Sequence, residues 1–183
     1  GCASHANGSY AYYSKERDPR TQAYVIGPSD RLQVHVWRDE ELSTEVFVRP
    51  DGTITLPLVG SLQAAGRTTD QLREKIKKKA DRYVKNPVVT VAVTAVNSYR
   101  FTVVGNVETP GVFNSSQCVT LTEAIALAGG PNRYAETDDI VLIRRDKAKS
   151  TPRRIPVDYE GILDGDHPEQ DLIILPGDTV FVP

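Results

Sequence analysis

The sequence predicts an α+β protein built as two small modules, and three observations carry that expectation. Alternating apolar and polar residues at strand spacing recur along the chain, whereas two stretches, each opened by a capping-box phrase, show helical spacing. The length of 183 residues, with 39% hydrophobic and 25% charged side chains, suits one large globular domain or two small ones. Charge is also uneven. Arg67–Lys85 holds eight basic residues against three acidic ones, while Val107–Pro183 holds thirteen acidic against seven basic, in a chain of net charge −2. Such asymmetry favours two modules or a head-to-tail assembly surface.

Residues 1–22 are polar, aperiodic and rich in small side chains, so they read as a flexible leader that packs only under a covering neighbour. Gly27-Pro28-Ser29-Asp30 is a turn: Pro28 presets φ, and Ser29 and Asp30 offer local hydrogen bonds. Leu32–Trp37 then alternates as a half-buried strand, which places Trp37 in the core or between subunits. Val46–Arg49 and Thr53–Leu58 flank Pro50-Asp51-Gly52 and read as a hairpin. Thr68-Thr69-Asp70-Gln71 opens a helix carried by Leu72, Ile76, Ala80 and Tyr83 or Val84, with Pro87 as its stop. Val88–Val96, alternating and rich in β-branched residues, is a strand.

A second set begins with the strand Tyr99–Gly105 and the Pro110-Gly111 turn. Thr120-Leu121-Thr122-Glu123 opens a short helix that Gly129-Gly130-Pro131 stops. Asp139–Arg145 and Arg153–Val157 read as two strands, and Leu172–Leu175, Pro176-Gly177-Asp178 and Thr179–Val182 as strand, turn and strand. The modules are 24–97 and 99–183.

Reactive chemistry is sparse. Cys2 and Cys118 cannot build a disulfide framework or a zinc site, and His5, His35 and His167 lie far apart, so no metal and no cofactor is expected. Cys118 reads as a small buried hydrophobe. No nucleophile elbow, phosphate-binding loop or zinc-protease helix occurs. Acid pairs such as Asp138/Asp139 and Asp164/Asp166 sit in polar, turn-like text that solvation explains, so we expect no enzyme. Near-neutral charge removes the general drive toward nucleic acid. No apolar run reaches the roughly 18–20 residues of a membrane-spanning helix.

Taken in order, "YVIGPSDRLQVHVW" (24–37), "VRPDGTITLPLVGSLQAAGRTTDQL" (48–72), "NPVVTVAV" (86–93), "VVGNVETPGVF" (103–113), "LTEAIALAGG" (121–130) and Ile173–Pro183 resemble the outer-membrane polysaccharide export family of Gram-negative bacteria. The resemblance implies a polysaccharide export domain at 24–97 and a soluble-ligand-binding β-grasp domain at 99–183. It further implies a homo-oligomeric periplasmic ring that conducts capsular polysaccharide or exopolysaccharide. The implied partners are the polysaccharide itself, an inner-membrane polysaccharide co-polymerase and an outer-membrane β-barrel. Gly1-Cys2-Ala3-Ser4 looks like the tail of a lipobox, which makes Cys2 the lipidation site anchoring the chain at the periplasmic face of the outer membrane. With one β-grasp domain and no spanning helix after the last strand, the chain resembles the short members of the family or a truncated longer one. Tyr10, Tyr12 and Tyr13 are candidates to stack on sugar faces, and Lys77, Lys78 and Lys79 are candidates for an oligomer interface. The alternative is a periplasmic carbohydrate-binding lipoprotein that forms no conduit.

Overall fold

The computed structural model describes residues 13, 16, 18–145 and 151–183. They divide into a unit of Gln22–Tyr99 and a unit of Arg100–Pro183, the latter including the described residues among the first 21. Helix and strand are mixed in both, so the protein is α+β.

In the first unit, β1 (Arg31–Val36) lies between β2 (Asp39–Phe47) and β5 (Val89–Ala95), antiparallel to each. Leu32, Val34 and Val36 point inward with no more than 1% exposure, as alternation demands. Helix α1 (Thr69–Ala80) is N-capped by Thr68, whose hydroxyl accepts the Gln71 N–H while the Gln71 side chain accepts the Thr68 N–H. Its buried stripe of Leu72, Ile76 and Ala80 joins the core beside Ile54, Leu56 and Leu62. The helix ends at Ala80, seven residues before Pro87, and leaves Tyr83 56% exposed.

Two expectations change here. The arms around Pro50-Asp51-Gly52 form no ladder: β2 pairs with β1, and the hairpin is β3 (Thr53–Leu56) with β4 (Gly60–Gln63). The 50–52 turn still reverses the chain, through Gly52 N–H to Arg49 C=O and Arg49 N–H to Thr53 C=O. Trp37 is 60% exposed on the single chain, so it is not in the core of its unit, and a place between subunits stays open. Val36 is the last inward position of β1, and the next two residues are the hairpin turn to Asp39, with Arg38 at φ +61.

In the second unit a mixed five-stranded sheet runs β7-β6-β10-β8-β9, from β6 (Arg100–Gly105), β7 (Gly111–Asn114), β8 (Ile140–Arg144), β9 (Arg153–Val157) and β10 (Thr179–Val182). The last strand, β10, inserts between β6, to which it is parallel, and β8, to which it is antiparallel. Gly105 is required at this junction. A Cβ there would stand 1.9 Å from the Val182 carbonyl oxygen, and its φ is +98. Helix α2 (Leu121–Leu127) carries the capping box of Thr120 and Glu123 and buries Leu121, Ala124 and Ile125.

Leu172–Leu175 is not a regular strand. It runs beside Val119–Leu121 through a single bridge, Thr120–Ile173. A third helix, α3 (Tyr159–Asp164), is absent from the sequence reading, although its marks are present: Asp158 accepts the Gly161 N–H as N-cap, and Gly165 closes the helix at φ +86.

Candidate functional site

Among the described residues no group of three or more His, Cys, Asp or Glu side chains is arranged to hold a metal ion. A surface depression of about 260 Å³ is lined by Glu45, Val46, Phe47, Arg49 and Thr55. It brings one carboxylate, one guanidinium and one threonine hydroxyl together, with no cysteine, lysine or histidine. What the chain offers instead is two buried aspartates that organise its turns, and two charged surfaces.

Asp30 is fully buried in the first unit. Its carboxylate accepts the Gly27 N–H at 2.8 Å, the Asn97 and Ser98 N–H groups at 2.9 and 2.8 Å, the Tyr24 hydroxyl at 2.5 Å and the Ser98 hydroxyl at 3.1 Å. All these donors are neutral. The carboxylate thereby ties the start of β1 to the segment that leaves the unit after β5. Burial, and then the bond to Asp30, push the Tyr24 phenol well above its ordinary range. A Cβ at Gly27 would sit 2.3 Å from the Ser98 Cβ, so this packing needs glycine.

Asp178 plays the corresponding part in the second unit. It accepts the Leu175 N–H at 2.8 Å and two guanidinium N–H bonds from Arg144, at 3.0 and 2.6 Å. Arg144 also donates to Glu16 at 2.7 Å and to the Ile173 carbonyl at 2.7 Å, and Glu16 accepts from Arg153 as well. The side chains of Arg144, Glu16 and Asp178 are 7%, 9% and 2% exposed. Burial pushes the Asp178 carboxyl up against the downward pull of Arg144. Desolvation thus cancels much of the attraction, as expected for ions withdrawn from water.

Of the sequence candidates, Tyr13 is buried at 7% exposure, and its hydroxyl donates to the Pro156 carbonyl at 2.5 Å. The ring presents no free face to a sugar, which corrects the stacking role expected of it. Instead it satisfies a carbonyl on the edge strand β9. Tyr10, Tyr12 and Cys2 lie outside the described residues. Lys77 and Lys78 are exposed, but the Lys79 ammonium donates to the Ser61 carbonyl at 3.1 Å and belongs to the fold of its own unit. Cys118 is a free, half-buried thiol.

Sequence reading missed the Glu16–Arg144–Asp178 cluster. Only the aspartate was legible, through its turn. Nothing in the text around Glu16 or Arg144 links residues 128 apart.

Two family models match the chain in succession. Polysaccharide biosynthesis/export protein covers residues 18–94, and the SLBB domain covers residues 100–156. Among curated proteins, the chain is 32% identical over 167 residues to an EPS I polysaccharide export outer membrane protein of Ralstonia nicotianae, spanning 78% of this chain and 43% of that one. It is 31% identical over 125 residues to an exopolysaccharide production protein of Rhizobium meliloti, spanning 62% and 30%. It is 29% identical over 145 residues to a polysialic acid transport protein of Escherichia coli, spanning 78% and 25%. The chain therefore spans less than half the length of these relatives. The two matched models follow the order of the two units, and with these relatives they place the chain in the polysaccharide biosynthesis/export family, as an export domain followed by an SLBB domain.

Proposed function

We propose that this protein is a subunit of a homo-oligomeric periplasmic ring that conducts capsular polysaccharide or exopolysaccharide across the envelope of a Gram-negative bacterium. The observation that carries this reading is the succession of an export domain and an SLBB domain over residues 18–156, in a chain whose relatives are named for polysaccharide export and transport. In this reading Cys2 bears the lipid that holds the ring on the outer membrane, and Tyr10 and Tyr12 face the passing sugar. An inner-membrane co-polymerase delivers the polymer, and an outer-membrane β-barrel receives it. The work is conduction and docking, not bond making. No helix among the described residues is long and apolar enough to cross a membrane.

Native mass spectrometry of the full chain tests the ring. A single closed stoichiometry that persists on dilution is expected. A monomer at every concentration, retaining sugar-binding activity, would favour a carbohydrate-binding lipoprotein that forms no conduit. Replacing Cys2→Ser should move the protein from the outer-membrane fraction to the soluble periplasm, and unchanged fractionation would refute the anchor.

A further inference from the structure

The charge asymmetry of the sequence resolves, in the structure, into two sets of exposed side chains of opposite net sign, each with a large exposed side chain among them. On the first unit, Asp70 and Glu74 are neutralised by Arg73, so the positive charge concentrates beyond them. Lys77, Lys78, Arg82 and Lys85 are exposed on either side of Tyr83 in the sequence, with one exposed acid, Asp81, among them, and Tyr83 is itself 56% exposed. Among the described residues none of these four cations is in an ion pair.

On the second unit, α3 exposes Glu160 and Asp164 one turn apart, with Leu163 between them at 63% exposure. The 136–139 loop is fastened beside that helix. The Tyr159 N–H donates to the Thr137 carbonyl at 2.9 Å, and the Thr137 hydroxyl donates to the Glu160 carboxylate at 2.6 Å. This brings the exposed Asp138 and Asp139 to the same surface. The chain carries no lysine or arginine between Ile155 and Pro183 to offset them.

Gathering like charges around a solvent-exposed tyrosine or leucine does nothing for folding, because like charges repel at this spacing. It does favour a partner of opposite sign, which removes the repulsion and covers the apolar centre. We propose that the basic surface around Tyr83 docks on the acidic surface around Leu163 of a second copy of this chain. The contact joins two different surfaces, so it is heterologous and propagates head to tail, closing into a ring where the rotation permits. The inference rests on the ring reading above and names the contact that would build the ring. The charge complementarity is internal to the sequence, so the occupant needs no other source.

The test uses two variants of the full chain, K77E/K78E/R82E and D138K/E160K/D164K, with circular dichroism to confirm that both fold. Sedimentation velocity and native mass spectra are recorded at low and high ionic strength. Each variant alone should assemble at least about tenfold more weakly than the parent at low salt. The deficit should shrink as salt shortens the Debye length from about 30 Å to about 3 Å. Mixing the two variants should restore assembly with strict alternation, because one chain then carries two acidic surfaces and the other two basic ones.

Parent chain that assembles together with variants that assemble equally well overturns the docking and leaves the ring standing. Variants that lose assembly without rescue on mixing overturn it as well, since the surfaces then do not meet each other. A parent chain that stays monomeric at all concentrations overturns the ring reading and this contact together.

Discussion

The turns Gly27-Pro28-Ser29-Asp30 and Leu175-Pro176-Gly177-Asp178 share one local construction and end in different electrostatic surroundings. In both, a proline is followed by a residue at positive φ, Ser29 at +74 and Gly177 at +90. The aspartate then accepts the N–H three residues back at 2.8 Å. Beyond that shared bond they diverge. Asp30 is held by peptide N–H groups and hydroxyls, and Asp178 by a guanidinium that a second carboxylate also claims. The same turn chemistry thus serves a neutral-donor nest in one unit and a buried ion cluster in the other. The nest spreads one charge over many dipoles. The cluster gathers two carboxylates on Arg144, with Arg153 pairing Glu16 alone.

The comparison predicts a ranking of sensitivities. Arg144→Met should be the most damaging change, at about 3–5 kcal/mol, because it leaves Asp178 buried without its cation and Glu16 with Arg153 alone. Urea unfolding of the second unit measures it, and a loss below about 1 kcal/mol would mean that the cluster is hydrated in solution. Asp30→Ala should cost about 2–3 kcal/mol. It orphans several donors, but no ion, and water can reach some of them. If it cost more than Arg144→Met, the contrast between nest and cluster would be reversed.

Tyr13→Phe should cost about 1 kcal/mol, the worth of the hydroxyl bond to Pro156 with the ring left in place. Thermal melts of parent and variant decide this. The smallest effect concerns Tyr24, whose phenol is raised above its ordinary value of 10.0 in the folded state by burial and by Asp30. A raised pKa means that its contribution is complete below pH 10 and is lost as the pH climbs beyond, because the unfolded chain ionises first. The stability difference between parent and Tyr24→Phe should therefore be constant up to about pH 10 and narrow above it. A difference that stays flat to pH 11 would show that Tyr24 ionises normally.

Much of the fold was legible because its signals are local. The capping boxes at Thr68 and Thr120 announced the starts of α1 and α2 to the residue, and the alternation of Leu32–Val36 announced β1 and its buried face. What failed depended on pairing. Nothing within Val46–Arg49 says that β1, and not β3, is the partner of β2, because alternation fixes a face but not a neighbour. The core placement of Trp37 failed for a related reason. The alternation that identified the strand does not say where it ends, and the aromatic side chain falls one position past the last inward residue.

Of the candidate surfaces, the basic helix was visible as a run of lysines. Its structural sorting, with Lys79 turned to Ser61, was not. The acidic surface was hidden as a surface, since it joins two segments more than twenty residues apart through Thr137 and Glu160.

The bonds from Tyr13 to Pro156 and from Glu16 to Arg144 have a consequence for the order in which the protein can be completed. They join residues 143 and 128 positions apart, with the whole Gln22–Tyr99 unit between them in the chain. A polypeptide that emerges amino end first therefore presents Tyr13 and Glu16 long before their partners exist. Wherever the chain emerges, the Gln22–Tyr99 unit is complete before those partners are, since every strand and helix of its core is contiguous. The outer unit must wait for β8 and β9 before the early residues can be recruited. Until then Glu16 remains in water, and Arg144 will be made into a sheet whose second carboxylate has been waiting longest of all.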